Sequence, residues 1–312
     1  MSLLVNVDNF ARAETHRMMR DLQEAAGGVN QLVHNRAPTA VDQQTVIRMN
    51  RDTLYSYAVV DVGAGATLTI PEHGERYLSA MVVDEDHYVG AVLHDAGDHE
   101  LPPGGSGGTH VALVIRILVD PADPRDVAEV AALQDRIALT SRAAAPFEMP
   151  DYDTAGLDET REALLVLARN LGGFDHAFGA KDEVDPVRHL VGTAAGWGGL
   201  PSTEAIYVSV DPRLPVGRHE LTVGQVPVDG FWSISVYNAE GFFEPNSRDA
   251  YTINNITGVR NDDGTITVRF GEHPADVPNV LPITEGWNYV VRLYRPRAEI
   301  RDGLWTFPTL NP

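Results

Sequence analysis

The densest cluster of polar side chains lies within residues 47–56, where Arg48, Asn50, Arg51, Asp52 and Tyr55 follow one another closely. In an extended backbone, Arg48, Asn50 and Asp52 point to one face of the chain and Arg51 points to the other. A cation, an amide and a carboxylate on a shared face can bind a polar ligand or transfer protons. We therefore predict a site in which Arg48, Asn50, Asp52 and Tyr55 are catalytic and Arg51 binds the ligand.

Two interpretations of this cluster stay open at the level of the sequence. In a functional site, the ionised carboxylate of Asp52 would orient Arg48 towards a ligand cavity, because nearby guanidinium groups stabilise a charged carboxylate. In a scaffold, the same charges would form an ion-pair network at the end of a sheet, since perturbed charges mark sites only probabilistically. The stability of an Asp52→Asn variant separates the two, with a large loss for a buried scaffold and a small loss for a solvated site.

A second group of candidates lies near the carboxy terminus and mixes aromatic rings with hydrogen-bond donors. We predict that its members bind a ligand: Tyr237, Arg248, Asn254, Arg292 and Tyr294. Aromatic side chains with a few convergent polar groups are typical of small-molecule pockets. They are also typical of a sandwich core whose tyrosine hydroxyls reach backbone partners. Arg292 lies in an apolar strand, where an isolated charge is costly, so it must pair with a carboxylate or face a cavity.

The third group is acidic and rich in histidine. Asp84, Asp86 and His87 precede the strand-forming residues 88–93, and a second acidic and histidine cluster follows at residues 94–100. Carboxylate and imidazole groups could bind a divalent metal, and the excess of carboxylates favours Ca²⁺. We predict a metal site at Asp84, Asp86 and His87. A solvated loop is the alternative, because the histidines match no standard zinc spacing.

The composition limits the classes of partner. Cysteine is absent from the 312 residues, which excludes disulfides and thiolate chemistry. The formal net charge of −20 disfavours nucleic acid and anionic membranes, because both require clustered Lys and Arg. The first ten residues lack the regions of a signal peptide, and no apolar run has the length of a membrane span. We predict a cytoplasmic protein with a small-molecule ligand, and leave a homo-oligomer open.

The elements that must position these residues are mostly strands. Short alternating segments separated by Gly and Pro predict strands from residue 204 to the end, and others upstream over residues 46–61, 67–71, 76–83, 88–93 and 109–119. Helical spacing and capping residues predict helices near residues 8–26 and between residues 123 and 196. Strands and helices do not alternate, so the predicted class is mainly β, with two sandwich-like or jelly-roll-like domains, an amino-terminal helix and a helical connector. The predicted division is a helical segment 1–35, a β domain 36–122, a connector 123–200 and a β domain 201–312.

The strand over residues 231–237 organises the carboxy-terminal domain. Its alternation places Trp232, Ile234 and Val236 on one face, which we expect to form core. The opposite face carries Phe231, Ser233, Ser235 and Tyr237. Because that face combines aromatic rings with hydroxyls, we expect it to line a lightly polar cavity.

The chain also resembles a known family. The segments VIRMNRDTLYSYAVVDV, ERYLSAMVVDEDHY and RILVDPADPRDVAEVAALQDRI are similar to the domain called DUF1254. The segments FWSISVYNAEGFFEPN, DDGTITVRF and NVLPITEGWNYVVRLYRPRAEIRDGLWTFP are similar to its carboxy-terminal partner, DUF1214. The resemblance implies two β-sandwich or jelly-roll domains and no settled reaction. Several relatives resemble exported proteins with a cleaved leader, from which this chain departs.

Two functions from different classes follow. The first is an enzyme or binding protein that holds a small molecule in a polar cavity in or between the sandwiches. The second is a structural or assembly protein whose sandwich faces form oligomer interfaces. A concave site around Arg48, Asn50 and Asp52 would favour the first, whereas mutual pairing of these groups would favour the second.

Overall fold

The computed structural model describes residues 2–44, 47–102, 108–169, 171 and 173–310. Over these ranges the protein is mainly β, with 27% of residues in strands and 20% in helices. The amino-terminal helix is present, and the predicted fold class is confirmed. No helix in the described ranges has the length and apolar character needed to cross a membrane.

Two compact units divide the chain, and each is assembled from three separate segments. The first unit comprises Met1–Arg36, Leu54–Leu118 and Ala128–Ser202. The second comprises Ala37–Thr53, Val119–Val127 and Thr203–Pro312. The amino-terminal helix and the later connector helices therefore belong to the same unit as most of the first β segment. The division into four consecutive domains stays a prediction.

The helices begin and end at residues that favour these roles. Helix α1 (Phe10–Ala26) ends at Gly27, whose φ of 80° is the left-handed conformation that glycine adopts readily. Asp153 accepts a hydrogen bond from the amide of Gly156 and begins α3 (Thr154–Ala168). The remaining helices are η1 (Val41–Gln43), α2 (Pro124–Gln134), α4 (Pro186–Gly196) and α5 (Ala298–Arg301). The first unit packs α1, α3 and α4 around Phe10, Leu157 and Val191.

Two sheets form the β structure of the first unit. A five-stranded antiparallel sheet has the order β1-β2-β7-β4-β5, and a three-stranded antiparallel sheet has the order β6-β3-β8. Strand β7 is buried along its whole length because both of its faces are covered. These strands are β1 (Val33–His34), β2 (Thr53–Asp61), β3 (Ala66–Ile70), β4 (Leu78–Val83), β5 (Val89–Leu93), β6 (Gly97–Glu100), β7 (His110–Leu118) and β8 (Ala138–Ser141).

The second unit is a sandwich of two sheets. Its four-stranded antiparallel sheet has the order β12-β11-β15-β9, and its three-stranded sheet has the order β10-β13-β14 with a parallel pair between β13 and β14. Their inner faces share one apolar core that contains Trp232, Ile234 and Val236, as the alternation predicts. The strands are β9 (Ala205–Val210), β10 (His219–Val223), β11 (Trp232–Tyr237), β12 (Thr252–Asn254), β13 (Ile266–Phe270), β14 (Val280–Leu281) and β15 (Asn288–Tyr294).

Candidate functional site

The outer face of the four-stranded sheet in the second unit is polar, and it is buried. Register places Ser233 of β11 opposite Asn254 of β12 and Arg292 of β15, so the three side chains share this face. Ser233 and Asn254 are fully buried, and Arg292 is 3% exposed. The sequence correctly divides β11 into an apolar and a polar face. The polar face is closed over instead of lining an open cavity.

A turn of the chain, residues 47–53, covers this polar face, and we call it the cover segment. The extended strand predicted through it is wrong, because strand β2 begins only at Thr53 and Arg48 has a φ of 53°. That left-handed conformation is uncommon outside glycine. The amide of Arg48 donates to the carbonyl of Gly241 at 2.8 Å. Position 46, the first of the predicted strand, lies outside the described residues.

Arg292 holds the cover segment through its guanidinium group. One terminal nitrogen donates to Ser235 Oγ at 2.8 Å, and the other donates to the Arg48 carbonyl at 2.8 Å and to Tyr237 Oη at 2.7 Å. Tyr237 in turn donates to the carbonyl of Met49 at 2.8 Å. Burial opposes the charge of Arg292, but Tyr237, Tyr294 and Asp52 raise its pKa overall. Burial raises the pKa of Tyr237, which therefore remains a neutral phenol.

Asp52 lies inside this arrangement with no exposed surface. Its Oδ1 accepts hydrogen bonds from Thr252 Oγ1 at 2.8 Å and from Asn254 Nδ2 at 3.4 Å. We expected Asp52 to orient the guanidinium of Arg48. In the structure, that guanidinium donates to Asn288 Oδ1 at 3.3 Å instead. Arg48 is exposed, and the carboxylate is buried among hydroxyl and amide groups.

Asn50 connects the cover segment to the far end of the same sheet. Its Nδ2 donates to Thr53 Oγ1 and to Tyr294 Oη, each at 3.0 Å. Its Oδ1 accepts the backbone amide of Asp52 at 2.9 Å, which forms a local turn. The structure therefore brings together the predicted residues Asn50, Asp52 and Tyr294 within one network.

Three buried polar atoms of the cover segment and the sheet face beneath it have no hydrogen-bond partner in the described part of the chain. They are Arg51 Nε, Asp52 Oδ2 and Ser233 Oγ. A buried acceptor without a donor is costly, and such groups are rare in folded proteins. We call the set Asp52, Ser233, Ser235, Tyr237 and Arg292 the buried centre. Its bonds within the protein are those of a structural network with unused hydrogen-bonding capacity at two atoms.

The remaining predicted residues of the first two groups do not belong to the buried centre. Arg51 packs over the ring of Tyr251 at 5.0 Å and donates to the carbonyl of Thr39, while burial lowers the pKa of its guanidinium. Arg248 donates to the carbonyls of His273 and Pro274 and thereby fixes a surface loop. Tyr55 belongs to the first unit, where its ring stacks on Tyr57 with centroids 5.8 Å apart.

The predicted metal ligands of the first unit are occupied by protein groups. Asp86 receives two hydrogen bonds from Arg12, at 2.6 and 2.7 Å. Asp84 Oδ1 accepts the backbone amides of Asp86 and Tyr88. His87 Nε2 accepts the amide of Gly198 at 2.9 Å, so its proton is on Nδ1, which contacts Thr193 Oγ1 at 2.8 Å. No group of three potential metal ligands converges within the described ranges, so this geometry does not favour the predicted metal.

His87 shows how strongly burial acts in the first unit. Its ring stacks on Trp197 with centroids 5.5 Å apart, and it is 2% exposed. Burial, together with the neighbouring His189, lowers the pKa of His87 from 6.5 to about 3. The imidazole is therefore neutral at physiological pH and acts as a hydrogen-bonding core residue.

A second network in the first unit escaped the sequence-based predictions. His16 of α1 contacts Glu85 Oε2 through Nε2 at 3.1 Å and the hydroxyl of Tyr152 through Nδ1 at 3.0 Å. Glu85 also accepts a hydrogen bond from Arg12 at 3.2 Å, and the polar groups around it lower its pKa against the effect of burial. Glu85 and Tyr152 lie 69 and 136 positions from His16 in the sequence, and no local motif relates the three residues.

A concave surface lies at the end of the four-stranded sheet in the second unit, where β9 and β11 begin and β15 ends. Its volume is about 350 Å³, and it opens to solvent. Three arginines and two carboxylates contribute to its walls. We call it the arginine cleft, and its residues are Thr203, Glu204, Asp229, Arg295, Pro296, Arg297, Ala298 and Arg301.

Backbone hydrogen bonds hold the walls of the arginine cleft. The amide of Arg295 donates to the Glu204 carbonyl at 2.7 Å, and the amide of Asp229 donates to the Arg295 carbonyl at 2.9 Å. Gly230 permits the close approach of these strands, because a Cβ there would lie 2.8 Å from the carbonyl oxygen of Tyr294. Arg297 Nε donates to Asp229 Oδ1 at 2.7 Å. No local sequence pattern marks this surface, because its residues come from three separated segments.

Comparison with known families finds two matches in this mainly-β protein. The model described as "Protein of unknown function (DUF1254)" matches residues 29–102, and the model described as "Protein of unknown function (DUF1214)" matches residues 215–298. The chain therefore contains a DUF1254 region followed by a DUF1214 region, in the order that the resemblance predicts. Asp52 lies in the first region, and Asn254 and Arg292 lie in the second. No curated protein is significantly similar to the chain.

Comparison with solved structures finds similar chains at low sequence identity. The crystal structure of the VPA0106 protein from Vibrio parahaemolyticus superposes with a TM-score of 0.72 at 17% identity, over 97% of this chain and 96% of that one. A putative uncharacterized protein from Burkholderia cenocepacia matches with a TM-score of 0.49 at 14% identity, over 93% of this chain and 84% of that one. The likeness to the Vibrio protein shows a common fold.

Proposed function

We propose that the second unit is a binding module that holds a small polar molecule in the arginine cleft. The observation that carries the proposal is the cleft itself, a concave surface of about 350 Å³ lined by charged side chains. That volume lies in the range of small-molecule sites, which usually occupy few places on a protein. The hydrogen bonds between its walls support the proposal further, because a preorganised site loses less entropy when a ligand binds.

The predicted cluster at residues 48–55 supports this function only indirectly. Asp52 is fully buried and Arg292 is 3% exposed, so a ligand would have to displace the cover segment to reach them. The arginine cleft is open without such a movement. The buried centre instead stabilises the sheet from which the cleft is built, because Tyr294 of β15 immediately precedes Arg295.

The alternative function in assembly has less support. An oligomer interface built on the outer face of the four-stranded sheet would need that face to be accessible, whereas the unit's own cover segment encloses it. Self-association and cytoplasmic location both stay predictions.

A steric block of the cleft tests the proposed function. Ala298 is exposed in the cleft wall, and Ala298→Trp would fill the cleft without changing its charge. Ala275 is exposed in the same unit outside the cleft, so Ala275→Trp is the matched control. We expect isothermal titration calorimetry to detect at least one of phosphate, succinate, glucose and putrescine, with binding lost in Ala298→Trp and kept in Ala275→Trp. Equal binding by both variants, or binding of none of the four probes, would contradict the proposal.

A further inference from the structure

We infer that the molecule held in the arginine cleft carries an oxyanion of the carboxylate or phosphate type. This inference rests on the proposed function and adds the chemical class of the ligand. It starts from the charges of the cleft walls: three guanidinium groups face two carboxylates. The cleft is thus net positive on a chain whose formal charge is −20. A local positive site on an acidic protein is what an anionic ligand requires.

The three arginines of the cleft are not equivalent: one is paired with a protein carboxylate, and two have donors available to a ligand. Arg297 donates to Asp229, so its position is set by the protein. The side chains of Arg295 and Arg301 are exposed, and within the described ranges they make no hydrogen bond or ion pair with protein groups. Their donors are therefore available to a ligand.

The backbone of Arg295 adds a second observation. Its φ is 51°, the left-handed region that non-glycine residues seldom adopt. Such conformations cost free energy and persist where the surrounding structure imposes them, often at ligand sites. Here the amide of Arg295 is bonded to Glu204 and its carbonyl to Asp229, so the turn directs the chain into the cleft wall.

Guanidinium groups have a geometric preference that narrows the ligand class. Two parallel N–H donors match the two oxygens of a carboxylate or a phosphate, and these charge-assisted bonds are about twice as strong as neutral ones. A lysine offers the same charge without the planar fork. Recognition by Arg295 and Arg301 should therefore depend on both the charge and the shape of the side chain.

The test uses the full chain and four probes of different charge: inorganic phosphate, succinate, glucose and putrescine. We expect phosphate or succinate to bind, and Arg295→Gln and Arg301→Gln each to weaken binding by about tenfold, the loss of one charge-assisted bond. Arg295→Lys should recover only part of the affinity. Arg213→Gln removes the same charge from a side chain that is 83% exposed outside the cleft, and it should change binding less than twofold.

The outcomes separate this inference from the proposed function. Binding of phosphate or succinate that depends on Arg295 and Arg301 supports both. Binding of glucose or putrescine that is lost in Ala298→Trp but unchanged in the two Gln variants overturns the oxyanion and keeps the cleft as a binding site. Anion binding that Arg213→Gln weakens as much as Arg295→Gln overturns the inference, because it reports general charge attraction. Binding of no probe overturns both.

Discussion

The buried centre and the arginine cleft lie on the same sheet and use arginine in opposite ways. Arg292 is 3% exposed and donates to Ser235, Tyr237 and the backbone carbonyls of Arg48 and Met49. Arg295 lies three residues further along the chain and is exposed. In the described part of the chain, its side chain donates to no protein group. The guanidinium of Arg292 therefore bonds to protein groups, and that of Arg295 is exposed to solvent.

Solvation explains this difference and what each arginine can do. A guanidinium removed from water must find acceptors in the protein, because an unpaired buried charge is very costly. Once satisfied, it has few donors left for a ligand. An exposed guanidinium is solvated by water, which a ligand can displace. Substitutions in the buried centre should therefore change stability, whereas substitutions in the cleft should change binding.

The largest expected effect is that of Arg292→Met. The variant keeps an apolar chain of similar length but removes the donor to the Arg48 carbonyl and to the hydroxyl oxygens of Ser235 and Tyr237. Buried acceptors left unsatisfied in this way should lower the free energy of unfolding by about 3–5 kcal/mol. Urea denaturation measures the change, with Arg213→Gln as the exposed control. A loss below about 1 kcal/mol would show that the buried centre does not hold the sheet.

His87 extends the comparison to a buried group in the first unit. Its folded-state pKa of about 3 lies below the ordinary value of 6.5, so between these values only the unfolded chain binds the proton. The stability contributed by the neutral ring is complete above pH 6.5 and is lost as the pH falls, by about 1.4 kcal/mol per pH unit. Denaturation from pH 7 to pH 4 should show this slope in the native chain and a shallower one in His87→Gln. Identical slopes would contradict a buried neutral His87.

Asp52→Asn should have an intermediate effect. Asparagine keeps an acceptor for Thr252 and Asn254 but removes the negative charge that stabilises Arg292. Because Asp52 is fully buried, we expect the free energy of unfolding to fall by about 1–3 kcal/mol. Chemical denaturation gives the value directly. If stability were unchanged while ligand binding disappeared, Asp52 would be a binding residue. That result would contradict the expectation that substitutions in the buried centre change stability and not binding.

The two serines of β11 offer a matched pair inside the buried centre. Ser235 Oγ accepts from Arg292 at 2.8 Å and donates to Thr252 at 3.2 Å, whereas Ser233 Oγ has no partner among the described residues. Ser235→Ala should cost about 1 kcal/mol, and Ser233→Ala should be neutral or slightly stabilising. Both residues are fully buried, so burial does not confound the comparison. Thermal melts of the two variants provide the measurement, and a larger loss in Ser233→Ala would reveal a bond to that hydroxyl.

The smallest expected effect on stability belongs to the cleft. Arg301 is exposed and makes no hydrogen bond or ion pair with the described protein groups, so Arg301→Gln should change the free energy of unfolding by less than about 0.5 kcal/mol. The same variant should weaken anion binding by about tenfold. Denaturation and calorimetry on one preparation measure the two effects together. A stability loss comparable with that of Arg292→Met would show that the cleft is structural.

The alternation of β11 determined which of its faces is apolar. Trp232, Ile234 and Val236 form core because side chains of a strand alternate, a rule that needs no tertiary information. Likewise, Gly27 and Asp185 mark the end of α1 and the beginning of α4, since capping depends on local backbone geometry. The long DUF1254 and DUF1214 motifs could also be recognised from the sequence alone. These features share a physical cause that acts over a few residues.

Tertiary structure alone decided the environment of the polar groups. Arg48 and Asp52 are four residues apart, yet a left-handed turn at Arg48 leaves its side chain exposed while Asp52 is buried. Asp52 accepts a hydrogen bond from Thr252, which lies 200 residues away in the sequence. The arginine cleft likewise combines residues near positions 204, 229 and 295, which only the strand order brings together. Burial and long-range pairing decide whether a charged group bonds to other protein groups or remains available to a ligand. Both depend on contacts between distant segments, so the residue types alone could not distinguish Arg292 from Arg295.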